Sequence, residues 1–159
     1  MVKWYAHIVL GVGASLALIN PEVTRIFMVG TSATIGSLLP DLDLNSAHRR
    51  LLHNFWALIM IVLIMTLIFK AFHMLSKDII INIIAPVSIG YILHIIGDSF
   101  TKMGVWPLWP LKKPHISLSE YEYDHPVINI FVASIGFLLC IVYLYSYLKQ
   151  FIHVLFEVL

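Results

Sequence analysis

Gly90-Tyr-Ile-Leu-His94-Ile-Ile-Gly-Asp98-Ser-Phe-Thr101-Lys-Met-Gly104-Val-Trp106-Pro-Leu-Trp-Pro110 joins the end of an apolar helix to a loop of aromatic and Pro residues. The helix is long enough to enter a bilayer, yet it carries two metal-ligand side chains one turn apart. At a separation of four, His94 and Asp98 lie about 40° apart around a helix and can face one point. Ionisable groups in a hydrocarbon-length segment cost kilocalories unless a metal, a paired charge or a water-filled cavity compensates them. Imidazole with carboxylate suits a divalent ion best. The plainer alternative is a buried His–carboxylate hydrogen bond.

Composition places this helix in a membrane protein. Of 159 residues, 60% are hydrophobic and 12% charged, with a mean hydropathy of +0.90. Such values indicate one integral membrane domain over 1–159. Ten basic residues against nine acidic ones give a net charge of +1, which lacks the basic surplus of a nucleic-acid-binding module, so no nucleic-acid partner is expected. The single cysteine, Cys140, lies among Leu and Ile, so no disulfide framework exists and packing is its expected role. Eight histidines are unusual in so apolar a chain, and His7, His48, His53, His94 and His125 all fall at or beside the ends of hydrophobic runs.

The pattern predicts an all-α, polytopic membrane bundle of about five transmembrane or partly embedded helices, over roughly 3–19, 22–39, 54–73, 78–100 and 126–148. The first run is short for a span, and with its basic start and small residues it also resembles a secretory signal, although His7 is out of place in one. Pro40 is expected to end the second helix and Pro86 to kink the fourth. His7, Gly11, Ala14 or Ser15 and Leu18 make a stripe of little bulk, matched by Gly30, Ala33 or Thr34 and Ser37. This predicts close packing of the first two helices. Trp106 and Trp109 suit an interfacial belt, and 151–159 reads as an amphipathic or continuing tail.

Counting crossings gives His94 and Asp98 company. If each run crosses or re-enters, the polar loops 40–53 and 101–125 share one face, and His7, Asp41, Asp43, His48, His53, His94 and Asp98 converge there. The opposite face receives only scattered charges. Taken singly, His7 is as readily a core histidine as a ligand, and Asp41 and Asp43 after Pro40 are more readily turn or cap residues than ligands. On a continuous helix His48 and His53 would lie about 140° apart, so a break is required for both to face the site.

The order His7, Leu39-Pro40-Asp41-Leu42-Asp43, His48-Arg49, His53 and Gly90-Tyr-x-x-His94-x-x-x-Asp98-x-x-Thr101-x-x-Gly104-Val-x-x-Leu108-Trp109-Pro110 resembles the membrane-bound metal-dependent hydrolases, also described as LexA-binding, inner-membrane-associated hydrolases. The resemblance covers about residues 1–110. The chain departs from that pattern at Leu44 (commonly His), Arg50 (Gly), Leu52 (Thr) and Asn54 (Ser). A more distant likeness is to the zinc-dependent phospholipase C and single-strand nuclease group, onto whose ligand order His7, Asp41, His53, His94 and Asp98 can be laid. A convincing later His-x-x-x-Glu is missing, so a three-metal cluster is not expected.

The implied activity is hydrolysis of a lipid or lipid-linked phosphoester assisted by one or two divalent ions, zinc foremost, manganese or another divalent ion otherwise. Asp41, His53, His94 and Asp98 are the expected ligands, with His7 a further ligand or a bridge to a second ion. Asp43 is the candidate general base, His48 a proton shuttle and Arg49 an anion clamp. The competing class is a non-catalytic, metal-stabilised membrane scaffold or regulator. A metal transporter fits less well, because such sites sit near the midplane. The positive-inside balance puts the site on the cytoplasmic face of the cell membrane.

Overall fold

In the computed structural model, which describes residues 2–43, 51–111, 115–121 and 125–158, the chain is helical: α1 (Trp4–Ile19), α2 (Ile26–Leu38), α3 (Phe55–Ala71), α4 (Lys77–Ser99) and α5 (Pro126–Val158). Among the described residues there is no β-strand, only an isolated antiparallel bridge between Val105 and Ile116. The breaks have local causes. Asn20 closes α1 in the left-handed conformation (φ 48°), its N–H donating to the Leu16 carbonyl, a geometry Asn tolerates well. A 3-10 turn, Val23–Arg25, then leads into α2.

Pro40 does not stop the helical path after α2, which tightens into a 3-10 turn over Leu39–Asp43. The disturbance expected at Pro86 takes the form of a π-helical segment, Ile80–Ile84, with the Ala85 N–H donating to the Ile80 carbonyl. Proline offers no N–H, and its ring crowds the carbonyl four residues back; the wider turn relieves both problems. α5 runs through Lys149 to Val158, so the tail continues the helix.

Small residues set the packing. α1 lies against α2, α4 and α5, and α2 lies against α4. A Cβ on Gly13 would come within 2.9 Å of the Gly136 carbonyl carbon, so α1 and α5 touch backbone to backbone. At Gly90 a Cβ would meet the Ser37 Oγ at 2.8 Å and the Ala33 carbonyl closer still, so α4 sits directly on α2. The predicted stripes work only at their inner positions: Gly11 abuts Ser37, whereas Leu18 is 73% exposed and Gly30 has nothing against it.

Two helices, Lys77–Ser99 and Pro126–His153, are long and apolar enough to cross a membrane, and Trp4–Ile19 and Phe55–Ala71 are shorter apolar helices. At 16 residues, α1 measures about 24 Å against a hydrocarbon thickness of about 30 Å. α3 stands at the periphery. Its inner edge places Leu58 against Tyr91, Ile95 and Val105, while Trp56, Ile59, Met60, Leu63, Ile64 and Leu67 face outward. A continuous apolar exterior of this kind suits lipid.

Candidate metal centre

Four segments meet at the end of the bundle where α4 terminates. Asp98 and His94 come from the last two turns of α4, Asp41 from the 3-10 turn after α2, His53 from the bend before α3, and His7 from the first turn of α1. Each is held locally. Asn54 caps α3, accepting from the Ala57 N–H at 2.9 Å and donating to the Leu51 carbonyl at 2.7 Å, which sets the bend carrying His53. The Tyr91 hydroxyl donates to the Leu52 carbonyl, and the Phe55 N–H donates to the Pro107 carbonyl at 3.0 Å. Thr101, fully buried, donates its hydroxyl to the Asp98 carbonyl at 2.8 Å and closes the end of α4.

The loop beyond folds back over this end. The Leu118 N–H donates to the Ser99 carbonyl at 2.7 Å, the Ser117 hydroxyl to the Thr101 carbonyl at 2.9 Å, and the Lys102 N–H to the Tyr121 carbonyl at 2.8 Å. The described part of the loop therefore packs back on the end of α4.

The donor atoms enclose a small volume. His94 Nε2 lies 3.5 Å from both Asp41 Oδ1 and Asp98 Oδ2, while His53 Nε2 lies 3.9 Å from Asp41 Oδ1 and 3.6 Å from Asp98 Oδ2. The donor atoms of Asp41, His53 and His94 lie within 4.8 Å of one another, a grouping that could hold a metal ion, and Asp98 Oδ2 adjoins both of its nitrogens. These separations are too long for charge-assisted hydrogen bonds, which close to about 2.7–2.9 Å. His94 Nδ1 is 2.7 Å from the Ser37 carbonyl and donates to it, so in the neutral ring Nε2 is the free ligand atom, and it faces two carboxylate oxygens. Among the described residues, His94 Nε2, Asp41 Oδ1 and Asp98 Oδ2 are buried without a hydrogen-bond partner. Two carboxylates facing neutral imidazoles are relieved by a cation between them, and this His and Asp donor set could hold a divalent ion.

His7 stands differently. Its Nε2 is 3.1 Å from Asp98 Oδ1, the oxygen turned away from the His53 side, and its ring stacks on that of His94 with centroids 3.8 Å apart. Asp98 Oδ1 also accepts from the Val2 N–H at 2.7 Å. One carboxylate oxygen is thus occupied by donors while the other faces the cluster. His7, His94 and Asp98 still form a second grouping close enough to hold an ion.

The backbone of Asp43 ends the 3-10 turn beside Asp41, whereas its side chain, and all of His48 and Arg49, lie outside the described residues. Sequence reading missed the Ser37 carbonyl and the Val2 amide, which as backbone groups leave no signature. The role of Thr101 does have a local signal, since a hydroxyl three residues after Asp98 can close the helix on that carbonyl. Among the described residues, side-chain exposure falls from 18% at Asp41 to 4% at His53 and 0% at His94 and Asp98, so the site opens past Asp41.

No curated protein and no solved structure matches the chain. The YdjM inner membrane protein family model matches residues 1–157, and the chain belongs to that family.

Proposed function

We propose that the chain is a multi-pass membrane protein whose Asp41, His53, His94 and Asp98 hold a divalent metal ion, and that it hydrolyses a phosphoester of a lipid or lipid-linked substrate at the cytoplasmic surface. The carrying observation is the convergence of the Asp41, His53 and His94 donor atoms within 4.8 Å of one another, with Asp98 Oδ2 3.5 Å from His94 Nε2 and 3.6 Å from His53 Nε2. Zinc suits two imidazoles and two carboxylates best, and manganese suits the carboxylates. A second ion beside His7 belongs to the same reading.

When bound, such an ion lowers the pKa of a water towards about 7 and polarises a phosphoryl oxygen. The protein does the rest. His7 and the Val2 amide orient Asp98, the Ser37 carbonyl fixes the His94 tautomer, and Asp41 stands at the open side, where substrate enters. Asp43 is the candidate base, His48 the shuttle and Arg49 the clamp for an anionic headgroup. The apolar exterior of α3 and α5 keeps the molecule in lipid, so an acyl-chain substrate reaches the site without leaving the membrane.

One observation favours a second reading, a metal-stabilised scaffold. Four protein donors would complete the coordination shell of a structural zinc, and they tie the ends of α2, α3 and α4 together. Metal content and turnover on a panel of phospholipids and lipid-linked phosphates, measured for the wild type, His94→Ala and Asp98→Ala, separate the two. Turnover lost with the metal supports the hydrolase; stoichiometric metal with no turnover and a lower melting temperature after chelation supports the scaffold.

A further inference from the structure

α5 contributes no donor to the cluster, yet it is wired to Asp98. Asn129, in the first turn of α5, is 1% exposed. Its Oδ1 accepts from the Lys3 N–H at 2.7 Å, and its Nδ2 donates to the His125 carbonyl at 3.1 Å. The adjacent Val2 N–H donates to Asp98 Oδ1 at 2.7 Å. Lys3 caps α1 with backbone alone (φ −70°, ψ 144°), so the two amides preceding the helix have no side-chain acceptor of their own and take one from α5 and one from α4. The Val2 side chain is clamped as well, packed with Ala6, Leu10 and Val132.

We propose that Asn129 is a positioning residue for the metal centre. By fixing Lys3 it holds the Val2 amide against Asp98 Oδ1, which turns Oδ2 towards His94 and His53. The proposal rests on the metal-binding reading. Its physical basis is that a ligating carboxylate is free to rotate unless its other oxygen is held, and loss of such a supporting partner typically lowers metal affinity about 10–100-fold. His7 holds the same oxygen from another side, so loss of the Val2 amide weakens the centre without abolishing it.

The test uses the full chain in nanodiscs, titrated with Co²⁺ and Zn²⁺, reading both affinity and the visible ligand-field absorption of Co²⁺. Val2→Pro removes the N–H, and Asn129→Leu removes the acceptor for Lys3; each is expected to weaken binding about tenfold or more and to alter the Co²⁺ spectrum. Because both act through one bond, the double variant is expected to be no weaker than Val2→Pro alone. Asn129→Asp keeps the acceptor for Lys3 but loses the donor to the His125 carbonyl, and is expected to bind metal more tightly than Val2→Pro; that comparison carries the test if Asn129→Leu does not fold. Variants that lose melting temperature but keep affinity and spectrum overturn the positioning role and leave the metal centre standing. A wild type that binds neither ion overturns both.

Discussion

His94 concentrates the argument at the scale of a residue. Its Nδ1 is committed to the Ser37 carbonyl and its Nε2 is left facing two carboxylates, so the ring is set up as a ligand rather than as a proton carrier. His94→Ala and Asp98→Ala are expected to reduce bound metal in purified protein to below about a tenth of wild type by elemental analysis, since each removes a buried donor. Asp41→Asn, at the exposed edge, is expected to weaken binding by a smaller factor in the same assay, and an equal or larger loss would count against Asp41 as the open side. Residues that hold ligands act through stability. Asn54→Ala removes the cap of α3 at a cost of about 1 kcal/mol, and Tyr91→Phe removes the hydroxyl that anchors Leu52 at a similar cost. Both are expected to lower the melting temperature and, by loosening the bend at His53, metal affinity; unchanged affinity in both would detach that bend from the site.

Between elements, the decisive contacts are those of glycines with backbone. Gly136→Leu forces a side chain into the carbonyl and amide of Val9 and Leu10, and is expected to destabilise the protein by about 1–3 kcal/mol in mixed-micelle unfolding. Gly30→Ala enters open space on a helix and is expected to be neutral or to stabilise by up to about 1 kcal/mol. If the two substitutions behaved alike, close approach of α1 and α5 would not be what Gly136 provides. The predicted small-residue stripes named this property but not its extent. Spacing alone cannot say that Gly11 meets Ser37 while Gly30 meets nothing, because that depends on where two helices diverge. The π-helical segment before Pro86 is of the same kind: proline announces a disturbance, and the packing around it decides its form.

For the whole molecule, the expectation is that both polar loops lie on one membrane face and the α3–α4 turn on the other. In a Cys140→Ser background, cysteines at Leu42 and Met103 are expected to react with an impermeant maleimide in inverted vesicles, and cysteines at Met74 and Val23 in intact spheroplasts. All four positions are solvent-accessible outside the helical cores. Labelling of Leu42 and Met74 from the same side would overturn the alternating topology. The lengths of α4 and α5 suit complete crossings, whereas crossings by the shorter α1 and α3 would require local thinning of the bilayer.

The all-helical class and the residence in a membrane were decided by sequence alone, because hydrophobicity and helical periodicity are local properties summed along the chain. So was the pairing of His94 with Asp98, which a spacing of four on one helix guarantees. The tertiary structure decided which oxygen of Asp98 meets which partner, that the His7 Nε2 points to that carboxylate, and that the Ser37 carbonyl and the Val2 amide orient the donors. Val2 and Asp98 lie 96 positions apart. Their meeting depends on the rotation and depth of α1 against α4 and α5, which glycine contacts on separate helices set together, and no local pattern encodes that.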